Sequence, residues 1–433
     1  MAVKRSIALS SLFMHKSKQL RLTIIILLIC LAPLAKNNNL LTAIQIMIFI
    51  LSLYIRPDRR IIKLSHVLLL PVIIGIINGL FRYAFYEVFK DMYYFLNPIL
   101  YLLLGSMIAR RYDRMDSLRA IAWVGSMCSL YLIFYMFNNY GYTALTAPRE
   151  ARESLSVTGF AATGVAAIIL LCDKLFFGAV LFSNFRAWMG LLLINLLSLY
   201  LSASRTDLLV FVISLSMMLY VKFQHRKHYI LLYLVFGGLI LSVFLLSNPQ
   251  SRFAEALLKA PEEITIQPAE NVIEINENYR GHEAYMTMRT IRKGNFEERL
   301  GGQGFGATVD MGSYTPLNIR HIPIMHNGYP YILLKTGWIG MTVYILFGLL
   351  LLRLSLKGKD RDLSQDDGTF PFWKSFPIIS ALGLYVTNVS ITGIFNPESV
   401  ILWIACGLSL QYKLDFDGRI CNHRKLQHET NDV

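Results

Sequence analysis

Apolar residues in this chain fall in long blocks rather than at every second or every third-to-fourth position. Ile24-Ile25-Ile26-Leu27-Leu28-Ile29 and Leu191-Leu192-Leu193-Ile194 are the centres of two such blocks. A run of about 20 apolar residues crosses the hydrocarbon core of a bilayer, because each helical residue rises about 1.5 Å. Only helices and closed barrels satisfy every backbone polar group inside lipid. The blocks are too long for the alternating segments of a barrel. The pattern predicts spans at 20–35, 40–55, 64–81, 93–109, 118–137, 157–177, 188–202, 206–221, 229–247, 330–352, 376–393 and 399–412. The first follows a basic stretch, as a signal peptide would. A second run follows at once, however, and Leu28-Ile29-Cys30 is no lipobox, so the first span is read as retained. The expected fold class is an all-α polytopic membrane protein with about 12 transmembrane helices. Residues 1–247 hold spans one to nine, 248–329 a periplasmic segment, 330–412 spans ten to twelve, and 413–433 a cytoplasmic tail.

Composition agrees: 55% of residues are hydrophobic and 16% charged, against roughly 25% charged in soluble domains. The net charge of +14 is explained by sidedness. With the N-terminus inside, 27 of the 42 basic residues fall in inner segments, beginning with Lys4, Arg5, Lys16, Lys18 and Arg21. Only six lie in the short outer loops, as the positive-inside rule requires. The partners implied are anionic membrane lipids, with no nucleic acid needed to account for the charge. The expected location is the bacterial inner (cytoplasmic) membrane, with both termini cytoplasmic. Cys30, Cys128, Cys172 and Cys406 lie in predicted spans and Cys421 in the tail, without metal spacing or a disulfide framework.

Span interiors look almost free of ionisable groups. Lys335 lies in span ten, where snorkelling to the surface is the simplest account. A transporter tends to bury charges near the midplane, and a two-halves transporter has its long loop between spans six and seven. Here the long loop joins spans nine and ten, on the outside. The outer polar groups form a short set. Arg205 sits in Ser202-Ala-Ser-Arg-Thr-Asp207, a tight turn whose serines can cap helix ends. Arg280, His282 and Glu283 lie in Tyr279-Arg-Gly-His-Glu283. Gly301, Gly302, Gly304 and Gly306 follow; with no buried strand before them, a flexible turn is a better reading than a dinucleotide site. His326-Asn327 comes directly before span ten, whose Gly337 and Gly340 suit close helix packing. Arg149 and Arg152, after span five, and Glu398, before span twelve, are secondary candidates.

Arginine binds phosphate through a planar fork and keeps its charge. Two arginines on one surface can hold a pyrophosphate and stabilise the charge it gains on leaving. A histidine with a pKa near about 6.5 can take a proton from an attacking hydroxyl. These are the parts of a transferase acting on a lipid pyrophosphate, with no metal or cofactor. The first outer loop, Lys36-Asn-Asn-Asn39, carries no acidic residue for an Asp-x-Asp metal site. Asp360-Arg-Asp362 and Asp415-Phe-Asp417 have that pattern but fall on the cytoplasmic side.

At these residues the chain resembles the O-antigen ligase and O-antigen polymerase family of membrane glycosyltransferases. His326-Asn327, nine residues, Gly337, two residues and Gly340 match the ligase pattern His-[Asn/Ser/Arg]-x9-Gly-x2-Gly. The Ser-Arg turn of Arg205, Arg280 and the glycine cluster follow in the family's order. The resemblance covers most of the chain by architecture, and residues 200–345 by motif. It implies a GT-C-like fold and a metal-independent, inverting transfer from a glycan on undecaprenyl pyrophosphate. By position, Arg205 and Arg280 would bind the pyrophosphate and His326 would activate the acceptor hydroxyl. Asn327, His282, Glu283, Arg149, Arg152 and Lys335 would complete the substrate-binding set. Lys335 departs from the family, many of whose members carry an acidic residue there; it would instead add positive charge near the donor. The acceptor is either the lipid A core, as in a ligase, or a second lipid-linked glycan, as in a polymerase. The short 139–156 loop leans toward ligase, and a lipid-linked glycan flippase is the more distant alternative.

The sidedness is directly testable. A Ser251→Cys variant should react with a membrane-impermeant maleimide from the outside in intact cells. Cys421 should react only after permeabilisation. The opposite pattern would overturn the orientation.

Overall fold

The computed structural model describes residues 2–35, 38–148, 151, 161–174, 178, 181–223, 265–268, 275, 279–312, 320–356 and 369–431. The first part runs through helices α1 (Ala2–Leu31), α2 (Asn38–Ile55), α3 (Arg59–Val67), α4 (Leu69–Leu80), α5 (Phe85–Ala109), α6 (Arg114–Tyr140) and the single turn α7 (Thr143–Thr146). Next come α8 (Ala161–Cys172), α9 (Phe185–Ser202), α10 (Arg205–Lys222), α11 (Tyr279–Lys293) and α12 (Phe296–Gly301). Two-residue strands β1 (Val309–Asp310) and β2 (His321–Ile322) precede α13 (Gly328–Leu356), α14 (Phe370–Ile391) and α15 (Val400–Asn431). Among the described residues, four helices, α5, α6, α9 and α13, are long and apolar enough to cross a membrane; α3 and α4, counted as one bent span, make a fifth. The predicted span at 229–247 lies outside the described residues.

Several boundaries differ from the hydropathy reading for local reasons. The run expected at 64–81 is two helices bent by 41°. Its first part, α3, carries Arg59, Arg60 and Lys63 and is capped by Asp58, whose side chain accepts from the Arg60 N–H at 2.8 Å. The span expected from residue 93 starts at Phe85, so that Asp91 lies inside α5, buried to 1% exposure. Span ten is interrupted at Gly337, whose φ of 63° and ψ of −164° only glycine adopts readily.

The helices alternate between two ends. At one, Arg110 donates to the Arg56 carbonyl, Tyr412 to the Tyr112 carbonyl at 2.9 Å, and Lys413 to the Leu354 carbonyl. At the other, Tyr329 donates to the Tyr385 carbonyl at 2.7 Å, and between them Asn97, midway along α5, donates to the Phe395 carbonyl at 2.9 Å. Polar side chains join helices where lipid offers no hydrophobic drive for association. Asn195 of α9 donates to Ser126 of α6 at 2.7 Å and accepts from Ser129 at 2.9 Å; Ser129 also reaches Thr163 of α8.

At the second end, the glycine cluster is not an open turn. It threads as a strap between α4 and α13. The Phe305 N–H donates to the Gly75 carbonyl at 2.8 Å, and the Gln303 N–H to the Leu334 carbonyl at 2.8 Å. Asn78 donates to the Gly301 carbonyl at 2.9 Å. A Cβ on Gly302 would lie 2.4 Å from the Thr336 nitrogen, and one on Gly337 2.3 Å from the Leu300 oxygen, so the chains meet backbone to backbone. Phe305, fully buried, fits against Phe95 with ring centroids 4.8 Å apart; Phe95 in turn stacks on Phe395 at 4.4 Å.

Asp91 secures this strap from below. Its carboxylate accepts from the Gly306 N–H at 2.6 Å, the Tyr331 hydroxyl at 2.7 Å and the Lys335 ammonium at 2.5 Å. Lys335 also donates to the Ala307 carbonyl. Lys335 is 0% exposed. This corrects two expectations. Lys335 does not snorkel, and the bundle interior contains a matched pair of opposite charges. Both side chains point inward from helices that begin one to two turns earlier, which leaves the lysine no path to the surface.

Removing one member strands a buried charge, a loss of about 3–5 kcal/mol. Asp91→Ala and Lys335→Ala should each sharply lower the yield of folded, detergent-extracted protein in size-exclusion chromatography. The neutral pair Asp91→Asn with Lys335→Met should recover a substantial part of it.

Candidate functional site

The site residues come together on three pieces of chain: α11, the β1–β2 hairpin and the start of α13. Helix α11 turns Gly281, His282, Glu283, Ala284, Thr287 and Ile291 inward, and it packs on α13. Thr287 satisfies its hydroxyl by donating to the Glu283 carbonyl one turn back at 2.7 Å. The inward positions therefore cluster on a face that includes two adjacent ionisable residues.

Glu283 is fully buried. One carboxylate oxygen accepts from the backbone N–H of His326, and the other faces His326 Nδ1 at 2.9 Å. Tyr279, one turn before Glu283, sets its ring edge-on to the imidazole, with centroids 5.6 Å apart and planes at 88°. Burial first, and then the Glu283 carboxylate, push the Tyr279 phenol above its ordinary pKa. The His326 side chain keeps 47% exposure while Glu283 keeps none. The carboxylate is thus withdrawn and the imidazole is presented.

His282 points elsewhere. Its Nε2 lies 3.2 Å from the Met311 carbonyl. A carbonyl can only accept, so Nε2 carries the proton in this contact. His282 therefore ties α11 to the chain just after β1. The hairpin pairs Val309 with Ile322 and Asp310 with His321. The Arg320 guanidinium meets both Asp310 oxygens, at 2.8 and 3.0 Å, and holds that carboxyl well below the usual carboxylate range.

Asn327 occupies the position before α13. Its side-chain oxygen accepts from the Tyr329 N–H at 3.1 Å, as a helix cap does. Gly328 leaves no room for a side chain, since a Cβ there would fall 2.0 Å from Asn388 Oδ1. His326 is thus fixed from both sides, by Glu283 before the helix and by a capped, tightly packed first turn after it.

The structure unites some of the expected residues and separates others. Glu283 and His326 are bonded, and Arg280 is partly exposed three residues before Glu283 on α11. Lys335 lies inside, paired with Asp91, two turns into α13. Arg205 opens α10 after a Ser204 cap whose hydroxyl accepts from the Asp207 N–H at 3.3 Å. Gly383 of α14 lies against Val210 of α10. Arg149 and Arg152 fall outside the described residues. Glu398 sits in the short 3-10 turn Pro397–Ser399, capped by Asn396. Among the described residues, no group of three His, Cys, Asp or Glu side chains is placed to hold a metal ion.

Sequence reasoning missed Asp91, Tyr331 and Tyr279. The first had a visible signal, a carboxylate two residues ahead of an apolar run. The two tyrosines look like ordinary interfacial aromatics until their partners are known. No family model matches the chain, and no curated protein does.

A cap is worth about 1 kcal/mol. Asn327→Ser, which keeps a capping oxygen, should retain nearly normal thermal stability in detergent. Asn327→Ala should lose roughly that much. Equal melting of the two variants would show that the cap contributes nothing to stability.

Proposed function

We propose that this chain is a metal-independent, inverting membrane glycosyltransferase working at the outer face of the bacterial inner membrane. It moves a glycan from undecaprenyl pyrophosphate to an acceptor hydroxyl, as the O-antigen ligases do with the lipid A core. The observation that carries this reading is His326, half exposed and held by a buried carboxylate, with Arg280 on the same helix as that carboxylate. Twelve spans in a GT-C-like arrangement, with both termini cytoplasmic, belong to the same proposal.

The chemistry balances without a further reactant. The acceptor oxygen attacks the anomeric carbon of the donor sugar, while its proton passes to His326 Nε2. The bond from that carbon to the pyrophosphate oxygen breaks, and the electron pair leaves with undecaprenyl pyrophosphate. Attack opposite the leaving group inverts the anomeric centre. Arg280 and Arg205 receive the charge that grows on the pyrophosphate, where a fixed guanidinium stabilises it most. Arg149 and Arg152 are further candidates for the glycan or the pyrophosphate. Asn327 and His282 are engaged in capping and in holding the hairpin, so their support for substrate binding is indirect.

A transporter reading draws on a different observation, the buried Asp91–Lys335 pair, because intramembrane charges often mark ion pathways. The pair is saturated internally, however, with three donors on Asp91 and two acceptors for Lys335. Its evident work is to anchor the strap, and we therefore favour the transferase.

In a host lacking the gene, His326→Ala and Arg280→Ala should each abolish or severely reduce the surface glycan. Loss of a general base lowers rate by about 10²- to 10⁴-fold. Surface glycan unchanged by both substitutions would overturn the assignment. In the deletion strain, loss of all attached polymer with accumulation of the lipid-linked form indicates a ligase. Single repeats still joined to the core indicate a polymerase.

A further inference from the structure

We infer that Glu283 is a positioning residue for His326, not a ligand of the substrate: it fixes the imidazole tautomer that leaves Nε2 free to take the acceptor proton. This rests on the glycosyltransferase reading above and goes one step past it.

The geometry is specific. The two oxygens of Glu283 meet two different groups of one residue, the His326 backbone N–H and the His326 Nδ1. A backbone N–H can only donate, and an ionised carboxylate can only accept. Nδ1 must therefore carry its hydrogen to bond to Glu283. In a neutral imidazole, that places the lone pair on Nε2, the nitrogen turned away from Glu283. Full burial of Glu283 removes it from contact with a glycan, whereas the half-exposed imidazole remains open to one. Tyr279 closes a side of the ring edge-on and limits its rotation.

The same carboxylate has a second effect during transfer. When Nε2 takes the proton, the ring becomes a cation next to a buried anion. That pairing sets opposite charges in hydrogen-bond contact through Nδ1. As the leaving group departs, the proton returns from Nε2 to solvent or to the departing phosphate.

A purely structural role for Glu283, as a clamp between α11 and α13, predicts something different, and Glu283→Gln separates the two. A glutamine offers one acceptor and one donor in place of two acceptors. The backbone N–H of His326 claims the oxygen, which leaves the NH2 facing Nδ1. Nδ1 must then accept, and the hydrogen moves to Nε2. The base is lost while size and most of the packing are kept.

The full-length protein, reconstituted in vesicles with a lipid-linked glycan donor and its acceptor, provides the test. Glu283→Gln should lower kcat by about 10²-fold or more, with donor KM within a few-fold of wild type and with little change in melting temperature. Glu283→Asp keeps a carboxylate that sits one methylene short, and should fall between wild type and Gln. If His326→Ala loses activity but Glu283→Gln turns over within a few-fold of wild type, the positioning role is wrong and the transferase reading stands. If activity in Gln and Asp falls only in proportion to folded protein, Glu283 is a structural clamp and the inference is likewise wrong. Should His326→Ala itself keep full activity, the underlying reading fails instead.

Discussion

A carboxylate taken out of water has to find donors inside the protein, and Asp91 finds three from two other stretches of chain. Gly306 brings the strap, Tyr331 and Lys335 bring α13, and Asp91 itself belongs to α5. Desolvating a charge costs several kcal/mol even after relaxation. Any arrangement that left Asp91 or Lys335 unpartnered would therefore lie well above this one. The pair joins α5 to α13 and, through Gly306, to the strap.

The strap follows from that constraint. Backbone can pass between α4 and α13 only if neither surface carries side chains at the crossing, and glycines supply that on both sides. Gly302 and Gly304 on the strap face Thr336 and Gly79 at would-be Cβ distances of 2.4 Å. The positive φ angles of Gly302, Gly304 and Gly306 let the chain bend through the gap. Gly337, whose φ is also positive, breaks α13 where the strap meets it. Its nine preceding residues form a short helix clamped by Asp91 near one end and by Glu283 through His326 at the other.

The site is therefore carried on rigid elements. His326 lies between a buried carboxylate and a capped helix start, and α11 is tied to the hairpin by His282. In the proposed transferase such support would serve a general base, where a displacement of an ångström can cost about two orders of magnitude in rate. The two buried carboxylates share a logic. Each lies beyond the reach of a ligand and acts by fixing another group, Asp91 the strap and Glu283 the imidazole.

Hydropathy alone determined the helical, membrane-embedded class. A spanning helix is a local property, set by about 20 consecutive residues whose backbone bonds close on themselves. Charge alone assigned the expected sides, and its place directly before a predicted span on the expected outer side singled out His326. Helix starts were legible only where polarity changed sharply. Phe85 was missed because the first two turns of α5 mix aromatic and charged residues. Only the tertiary structure decided what the buried charges do. Lys335 finds its carboxylate 244 residues away and His326 finds its own 43 residues away. The cost of an unpaired charge is the same for any partner, so nothing in the local pattern singles out Asp91 or Glu283. Packing chose them, by bringing α5 and α11 against the first turns of α13.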